Sequence, residues 1–252
     1  MGLAVRIIPT ILVNGWKQVK GERFKSWRIV GLAKQAALIH ATRGVDELCI
    51  LDVRATAEGR GPDLRMIEEL SKECFSPLAI GGGVISIDDV RALLLAGADK
   101  VVIGTHVPAA AYLSAREFGS QAIVASVDVT RGKVAWGCGN LVSAFEPDYY
   151  ARYCEHEGAG EILLQSIDRD GTMEGYDIEL IRSVCDSVDI PVIASGGCKS
   201  YEDMYNAIQA GASAVAAGAL FQFTDSTPQG AAEYLHSKGV EVRLRECCDS
   251  VN

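Results

Sequence analysis

Eight short and almost wholly apolar segments recur along the chain, and amphipathic stretches separate them. The apolar segments lie near residues 6–13, 48–53, 78–81, 100–104, 123–129, 161–167, 191–195 and 214–218. Apolar residues at nearly every position are typical of parallel strands that are buried on both faces. The stretches between them, such as 64–74 and 87–95, have helical periodicity. Ser86 is expected to cap the second of these helices, ahead of Asp88 and Asp89. The pattern predicts eight alternating strands and helices.

The second half of the chain repeats the first, mostly at an offset of 114 residues. Residues 77–86 match 191–200, and residues 96–104 match 210–218. This period is much longer than that of a solenoid repeat, so it indicates a duplicated half-domain. We therefore predict an α/β protein, a single (β/α)8 TIM barrel over residues 1–252, made of two half-barrels of about 1–119 and 120–252. A doubly wound open sheet is the alternative, but it would not predict two equivalent rims.

Composition and charge narrow the function. The chain has 252 residues, of which 48% are hydrophobic and 23% charged, and its net charge is −9. A soluble protein is expected from these fractions, and the acidic balance argues against broad nucleic-acid binding. We expect a cytoplasmic protein that does not span a membrane, because no apolar run reaches 18 residues and no leader is evident. The eight cysteines form no C-x-x-C pair, so we predict neither a metal nor a cofactor, and Cys247 and Cys248 are interpreted as exposed thiols.

Glycines follow the predicted strands at equivalent places in both halves. In the barrel these positions lie at the C-terminal rim, where active sites form. Glycine there lets backbone N–H groups approach an anion at the start of the next helix. Tight turns alone would also explain one such set, but two symmetric sets favour a ligand with a phosphate at each end. The glycines concerned are Gly82, Gly83, Gly104, Gly196, Gly197 and Gly218.

Carboxylates also close several predicted strands. Asp128 ends the first strand of the second half, Asp168 and Asp170 follow the next, and Asp52 ends the second strand of the first half. At this rim they can act as general bases or bind substrate hydroxyl groups. Salt bridging or helix capping is the structural alternative. The segment 7–13, which repeats as 123–129, carries Leu12 where its copy carries Asp128.

These features resemble the HisF family, the cyclase subunits of imidazole glycerol phosphate synthase. The resemblance covers nearly the whole chain and is strongest in residues 6–9, 19–21, 46–48, 81–83, 97–101, 158–164, 166–172 and 193–197. It implies a (β/α)8 barrel that pairs with a HisH-type glutaminase. Ammonia from that partner would cross the barrel core and react at the far rim with a bis-phosphorylated ribulosyl substrate.

The resemblance also assigns roles to individual residues. An ammonia gate at the N-terminal face is implied for Arg6, Glu47, Lys100 and Glu161, which are expected at the starts of odd-numbered strands, and Asp99 would contact the glutaminase. An inert salt-bridge ring is the alternative. Phosphate or substrate binding is implied for Lys20, Asp52, Gly82, Gly83, Gly104, Thr105, Asp168, Asp170, Gly171, Thr172, Gly196, Gly197 and Gly218.

The chain departs from the family at its acid–base pair. Asp128 matches the second catalytic aspartate, whereas Leu12 occupies the place of the first. Gly104 stands where the family usually has an asparagine, and the segment after Asp128 is expected to be a shorter loop. An aliphatic side chain cannot exchange a proton, so the pair loses a partner that is worth roughly 10²–10⁴-fold in rate.

Our leading hypothesis is a divergent HisF-like paralogue that passes ammonia from a HisH-like glutaminase but has lost cyclase chemistry. It would serve amidation of a sugar in surface-polysaccharide biosynthesis, together with a sugar amidotransferase. The alternative is an active cyclase subunit of histidine biosynthesis in which Asp52 or Asp170 takes over. A non-catalytic phosphate-binding scaffold is a second alternative, and a HisA-type isomerase fits the gate residues less well.

Overall fold

The computed structural model describes residues 4–105 and 107–244, without the side chains of 108 and 109. Cys247 and Cys248 lie outside these residues. The strands in chain order are β1 (Arg6–Asn14), β2 (Lys17–Glu22), β3 (Lys25–Leu32), β4 (Leu48–Asp52), β5 (Leu78–Gly81), β6 (Lys100–Ile103), β7 (Ile123–Thr130), β8 (Lys133–Trp136), β9 (Leu141–Val142), β10 (Glu161–Ser166), β11 (Val192–Ser195) and β12 (Ala214–Ala217). The helices are α1 (Ala33–Thr42), α2 (Leu64–Ser71), α3 (Ile87–Leu95), α4 (Val107–Phe118), α5 (Pro147–His156), α6 (Ile178–Cys185), α7 (Tyr201–Gln209), α8 (Ala219–Phe223) and α9 (Pro228–Ser237).

Eight of these strands close into a parallel barrel. Their order is β1, β4, β5, β6, β7, β10, β11 and β12, and β12 pairs in parallel with β1 to close the ring. The pairing of β7 with β10, in which Gln165 lies opposite Asp128, joins the fifth strand to the sixth. The predicted (β/α)8 barrel is confirmed. Its helices pack around the outside because each strand needs cover on both faces.

The interior of the barrel is apolar at its middle. Each of the eight strands contributes at least one side chain to a buried cluster of Ile8, Cys49, Ala79, Val102, Val124, Leu163, Ile193, Ala214 and Ala216. A larger cluster lies between the strands and the surrounding helices. Three members of the inner cluster are alanines, Ala79, Ala214 and Ala216.

Equivalent helices in the two halves begin in the same way. Ser86 caps α3, where its Oγ accepts a hydrogen bond from the backbone N–H of Asp89 and the Asp89 carboxylate accepts one from the backbone N–H of Ser86. Ser200 accepts the equivalent bond from the N–H of Asp203 at the start of α7. The predicted cap at Ser86 is confirmed. Across the described residues, no helix is long and apolar enough to cross a bilayer.

Two antiparallel hairpins extend the barrel and were not predicted from the sequence. β2 continues from β1, with Val13 paired to Gln18, and β3 returns alongside β2. β8 continues from β7, with Val129 paired to Val134, and pairs with β9. The segment after Asp128 therefore forms a hairpin, and its being shorter than in the family stays a prediction. Each hairpin grows from the first strand of a half-barrel and rises at the C-terminal rim.

Candidate functional site

A large pocket opens at the C-terminal ends of the barrel strands. It encloses about 1210 Å³ of empty space, part of which is open to solvent. Most of the residues predicted to bind substrate line it, together with Leu12 and Asp128. These residues are Lys20, Asp52, Gly82, Gly83, Gly104, Thr105, Asp170, Gly171, Gly196, Gly197 and Gly218. The topology therefore gathers into one cavity residues as far apart in the chain as Leu12 and Gly218, because parallel strands bring their C-terminal ends to one edge.

Asp168 and Thr172 are not among the residues that line this pocket. The Asp168 carboxylate accepts hydrogen bonds from the Thr130 hydroxyl and the Arg131 backbone N–H, both at 2.7 Å, and so fixes the β7–β8 turn. The neighbouring Arg169 donates to the carbonyl of Gly175 at 3.4 Å. A substrate-binding role for Asp168 and Thr172 stays a prediction.

The Asp52 carboxylate accepts hydrogen bonds from one side chain and from two backbone N–H groups. Arg60 donates two hydrogen bonds to its carboxylate, at 2.8 and 3.1 Å, in a bidentate pair. The backbone N–H groups of Arg54 and Ala55 also donate to Oδ1, at 3.0 and 3.1 Å. The Asp52 hydrogen bond is the main cause of the raised pKa of Arg60. These contacts shape the loop after β4 and leave little of the carboxylate free for chemistry.

The rim glycines are required by close backbone contacts in both halves. Gly82 has a φ of 114°, and a Cβ on it would lie 2.5 Å from the carbonyl oxygen of Asp52. Gly196 has a φ of 96°, and its Cβ would lie 2.5 Å from the carbonyl oxygen of Ser166. No side chain fits at either position, with or without a ligand. The need for a tight turn is therefore enough to explain why glycine occupies positions 82 and 196.

Gly104 and Gly218 are different, because no backbone atom lies within 3.0 Å of the place that a Cβ would take. A Cβ on Gly104 would meet no atom within 4 Å. Beside it, the Thr105 hydroxyl accepts a hydrogen bond from the Gly137 N–H at 2.9 Å, and its own proton is free to be donated. At Gly218 a Cβ would lie 2.0 Å from Nζ of Lys20. Gly104 thus borders open space and Gly218 borders the ammonium group of Lys20; we call these two places the first and second cradles.

The ammonium group of Lys20 lies in the second cradle with few partners. Lys20 is buried, and its Nζ donates to the carbonyl oxygen of Thr10 at the long distance of 3.5 Å. Burial lowers the pKa of Lys20 to about 8, and the charge of Asp170 partly offsets this. A buried cation with so little hydrogen bonding favours an anion as its missing partner.

Two carboxyl groups in the pocket have raised pKa values. Burial raises the pKa of Asp128 to about 6; the hydrogen bond from the Ser126 hydroxyl at 2.7 Å opposes this, and the Asp170 charge adds to it. Burial also raises the pKa of Asp170 to about 6, against the effects of Lys20 and of Gln165. Perturbed carboxyls in a large cavity mark a candidate catalytic site.

Leu12 lies on β1 and contributes a buried aliphatic side chain to the same mouth. It is 8% exposed and pairs in register with Leu51 of β4. The two positions of the repeated segment therefore differ in chemistry while sharing a place in the fold. No proton can be exchanged at this side of the pocket from residue 12.

The four gate residues form a closed ring of ion pairs at the opposite end of the barrel. Arg6 contacts Glu47 at 2.6 Å and Glu161 at 3.0 Å. Lys100 contacts Glu47 at 2.7 Å and Glu161 at 3.0 Å. Burial disfavours the charged Arg6 side chain, but the two glutamates outweigh it and raise its pKa. The residues lie at the starts of barrel strands 1, 2, 4 and 6, so the expectation of odd-numbered strands was wrong.

An exposed surface surrounds this ring. Asp99 precedes β6 and is exposed, although its Oδ2 accepts a hydrogen bond from the N–H of Leu78 at 2.8 Å. Phe75 is 95% exposed and Leu95 is 82% exposed. Both belong to segments that lead into barrel strands on the N-terminal face, and Ser71 of α2 donates to the carbonyl oxygen of Ala96, which joins these segments. An acidic residue and two exposed apolar side chains are thus neighbours of the ring.

Comparison with known proteins identifies the family. The pattern of the family described as "Histidine biosynthesis protein" matches residues 6–227. A chain from Dictyoglomus thermophilum called "Imidazole glycerol phosphate synthase subunit HisF" is 43% identical over 250 residues, which is 96% of this chain and 99% of that one. The chain belongs to the HisF family. A protein of the same name from Pyrobaculum aerophilum is 42% identical over 253 residues, or 97% of this chain and all of its own. The family resemblance inferred from the sequence is confirmed.

Several residues of this HisF-family pocket were not singled out from the sequence. Phe24, Trp27, Cys138 and Met173 come from the hairpins and loops above the barrel mouth. Phe24, Cys138 and Met173 have φ angles of 59°, 56° and 55°, a left-handed conformation that is uncommon outside glycine. Periodicity carries no signal for such loop residues. No group of three or more His, Cys, Asp or Glu within residues 4–105 and 107–244 is arranged to hold a metal ion.

Proposed function

We propose that the chain is a cytoplasmic synthase subunit that takes ammonia from a HisH-type glutaminase and combines it with a bis-phosphorylated substrate. The observation that carries this proposal is the arrangement of three features along one axis. A charged ring lies at the floor of the barrel, an apolar layer fills its middle, and a phosphate-type pocket with raised carboxyl pKa values opens at its rim.

The axis suits the passage of a small neutral molecule. Ammonia can cross an apolar layer that includes Ala79, Ala214 and Ala216, whereas an ammonium ion would pay a large desolvation cost. At the ring, Oε1 of Glu47 is buried and has no hydrogen-bond partner among the described residues. Near the pocket, the Thr10 hydroxyl is also buried and has no hydrogen-bond partner among the described residues. Unpaired polar atoms at both ends of the apolar layer supply places where N–H groups can bind.

The surface around the ring supports a protein partner. Asp99 offers a charge, and Phe75 and Leu95 offer apolar side chains that solvent otherwise surrounds. Large apolar side chains at such exposure are typical of an interaction surface, where aromatic anchors contribute strongly to affinity. A glutaminase seated there would deliver ammonia at the ring without loss to water.

The rim supports a substrate with two phosphates. The first cradle has Gly104 and the hydroxyl of Thr105, and the second has Gly218 and the ammonium of Lys20. The two lie in opposite halves of the barrel, as the sequence repeat predicts. The carboxyl groups of Asp128 and Asp170 lie in the same cavity, where they can exchange protons with the bound ligand.

A second candidate function is ammonia transfer without ring closure. Leu12 favours it, because it removes a carboxylate from the place where the family resemblance puts one. Sugar amidation in a surface-polysaccharide pathway, with a sugar amidotransferase as a further partner, stays a prediction. The relatives reported above are named as imidazole glycerol phosphate synthase subunits, and this supports the histidine enzyme over the polysaccharide role.

The two candidates are separated by supplying ammonia directly. We expect the purified chain to turn over the bis-phosphorylated ribulosyl substrate in ammonium salts at pH 8, and to do so with glutamine once a HisH-type glutaminase is added. Asp128→Asn is the control, and its rate should fall roughly 10²–10⁴-fold. Tight substrate binding with no turnover under either condition would reject the cyclase and favour the second candidate.

A further inference from the structure

Leu12 leaves the mouth of the barrel with three aspartates in its lining. They are Asp52, Asp128 and Asp170. Both oxygens of Asp52 already accept hydrogen bonds from Arg60, and Oδ1 also accepts from two backbone N–H groups, so the carboxylate is held in place by the loop after β4. If a second proton-transfer group exists beside Asp128, it must be sought at Asp170.

Asp170 has one oxygen that is fixed and one that is free. Nε2 of Gln165 donates to Oδ1 of Asp170 at 3.1 Å, which sets the orientation of the carboxylate. Its Oδ2 is buried and has no hydrogen-bond partner among the described residues. A buried carboxylate oxygen without a donor is costly, so it marks either a binding partner absent from the protein or a catalytic role. Because Asp170 lines the pocket, that oxygen is available to a ligand.

Asp170 is also close enough to Asp128 to affect it. Gln165, which holds Asp170, lies opposite Asp128 in the pairing of β10 with β7. The negative charge of Asp170 contributes to the raised pKa of Asp128. Asp128 lies on β7 and Asp170 lies in the turn after the neighbouring strand β10, whereas Leu12 lies on the first strand of the other half-barrel.

We propose that Asp170 is the second member of the acid–base pair with Asp128 and performs the proton transfer that residue 12 cannot. This inference rests on the proposed function, because it assumes that ammonia reacts in this pocket. The pair proposed here is Asp128 with Asp170, whereas the family resemblance implies a pair at positions 12 and 128.

The step it serves is the addition of ammonia to the ketone carbon of a ribulosyl substrate. The nitrogen lone pair forms the N–C bond, and the π bond of the carbonyl breaks toward oxygen. A neutral carboxyl gives its proton to that oxygen, and a carboxylate removes a proton from the new ammonium nitrogen. The product is a carbinolamine, and the pair of carboxyl groups ends with the same number of protons. Oxygen and nitrogen are bonded to one carbon, so two carboxyls on the same side of the mouth can reach both.

The protonation states suit this division of roles. Burial raises the pKa of both groups to about 6, so each can exchange a proton near neutral pH. Neighbouring carboxylates repel each other, and the negative charge of Asp170 adds to the raised pKa of Asp128. Near neutral pH one group can act as the acid while the other acts as the base.

The test is Asp170→Asn in the full chain, assayed with ammonium and the bis-phosphorylated substrate. We expect kcat to fall roughly 10²–10⁴-fold, as for loss of a general acid or base, with KM changed less than threefold. Glu174→Gln, an exposed carboxylate in the same loop, should leave both constants unchanged. Adding Leu12→Asp to the Asp170→Asn variant should restore part of kcat, which a merely structural role of Asp170 would not allow.

Each other outcome decides against the inference. Unchanged kcat in Asp170→Asn, with a wild-type chain that is active, would overturn it and leave the proposed function standing. Loss of substrate affinity in proportion to turnover would make Asp170 a binding residue only. The wild-type pH–rate profile supplies a measurement that needs no variant: a limb near pH 6 is expected, and its absence overturns the pair. A wild-type chain that binds substrate without turnover would overturn both proposals.

Discussion

Asp128 shows how a partly buried carboxyl can lower stability where it serves chemistry. Its only hydrogen-bond donor among the described residues is the Ser126 hydroxyl, and no cation neutralises it directly. The unfolded chain would hold an aspartate pKa near 3.9, whereas the folded protein holds it at about 6. The folded state therefore binds this proton more tightly. The stabilisation from this group is full below pH 4 and is lost as the pH rises to 6.

Replacing this carboxyl with a neutral amide should make the protein more stable at neutral pH. We expect Asp128→Asn to raise the free energy of unfolding by about 1–2 kcal/mol at pH 8, because the pocket is partly open to water and reduces the penalty. The gain should vanish at pH 4, where the wild-type carboxyl is protonated as well. Urea unfolding at both pH values measures this. An equal effect at pH 4 and pH 8 would show that burial of the charge is not the cause.

The sequence could locate these residues but not their hydrogen bonds. Asp128 and Leu12 were found because they end apolar strands at a repeated position, and both line the pocket. Asp168 and Asp170 looked equivalent in the sequence. The Asp168 carboxylate accepts a hydrogen bond from the Arg131 N–H, whereas Asp170 lines the cavity. That difference arises in a non-periodic turn after β10, where the backbone path is set by tertiary contacts.

At the scale of elements, the rim glycines serve two purposes that the sequence pattern alone does not separate. Gly82 and Gly196 allow a loop to pass within contact distance of the neighbouring strand, whereas Gly104 faces empty space. The first pair is therefore a requirement of the fold. The second kind of position is available to a ligand.

Two alanine substitutions should separate these purposes. Gly196→Ala places a Cβ against the carbonyl oxygen of Ser166 in a left-handed conformation, so we expect a loss of at least about 2 kcal/mol of stability. Gly104→Ala should change stability by less than about 0.5 kcal/mol, because nothing lies within 4 Å. It should instead weaken binding of the bis-phosphorylated substrate. Thermal unfolding and calorimetric titration measure the two effects, and a Gly104→Ala variant with unaltered affinity would argue against a phosphate in that cradle.

The two hairpins mark the limit of prediction for elements. The eight barrel strands and the main helices were expected because their apolar patterns are long and regular. The β2–β3 turn contains Arg23 and Phe24, both with positive φ, in place of the glycine or asparagine that signals a tight hairpin. The β2–β3 turn therefore lacks the residues from which a tight hairpin is usually predicted.

At the scale of the whole molecule, the ring at the barrel floor ties four strands together with balanced charge. Two cations and two glutamates each have two partners, and Glu47 is buried. Removing one member leaves an excess charge that the low-dielectric floor stabilises poorly. The same ring stands between the proposed partner surface and the apolar layer.

Replacing Lys100 should lower the stability of the protein and weaken the coupling of glutamine hydrolysis to product formation. We expect Lys100→Met to lower the free energy of unfolding by about 2–3 kcal/mol, since Glu47 and Glu161 would keep only Arg6. In the complex with a glutaminase, more than one glutamine should be hydrolysed per product, while turnover with ammonium salts changes little. Lys72→Met, which removes an exposed ion pair with Glu69, is the matched control and should alter neither. If Lys100→Met still hydrolysed one glutamine for each product formed, the ring would not be part of the ammonia path.

The hairpins at the other end set the conditions for ligand exchange. A Cβ on Gly139, in the β8–β9 turn, would lie 3.6 Å from the ring of Phe24 in the β2–β3 turn, so the two hairpins meet above the mouth. Each grows from the first strand of its own half-barrel, and the duplication has thus produced two arms that close on each other. A ligand that enters or leaves the pocket between these turns must first separate them.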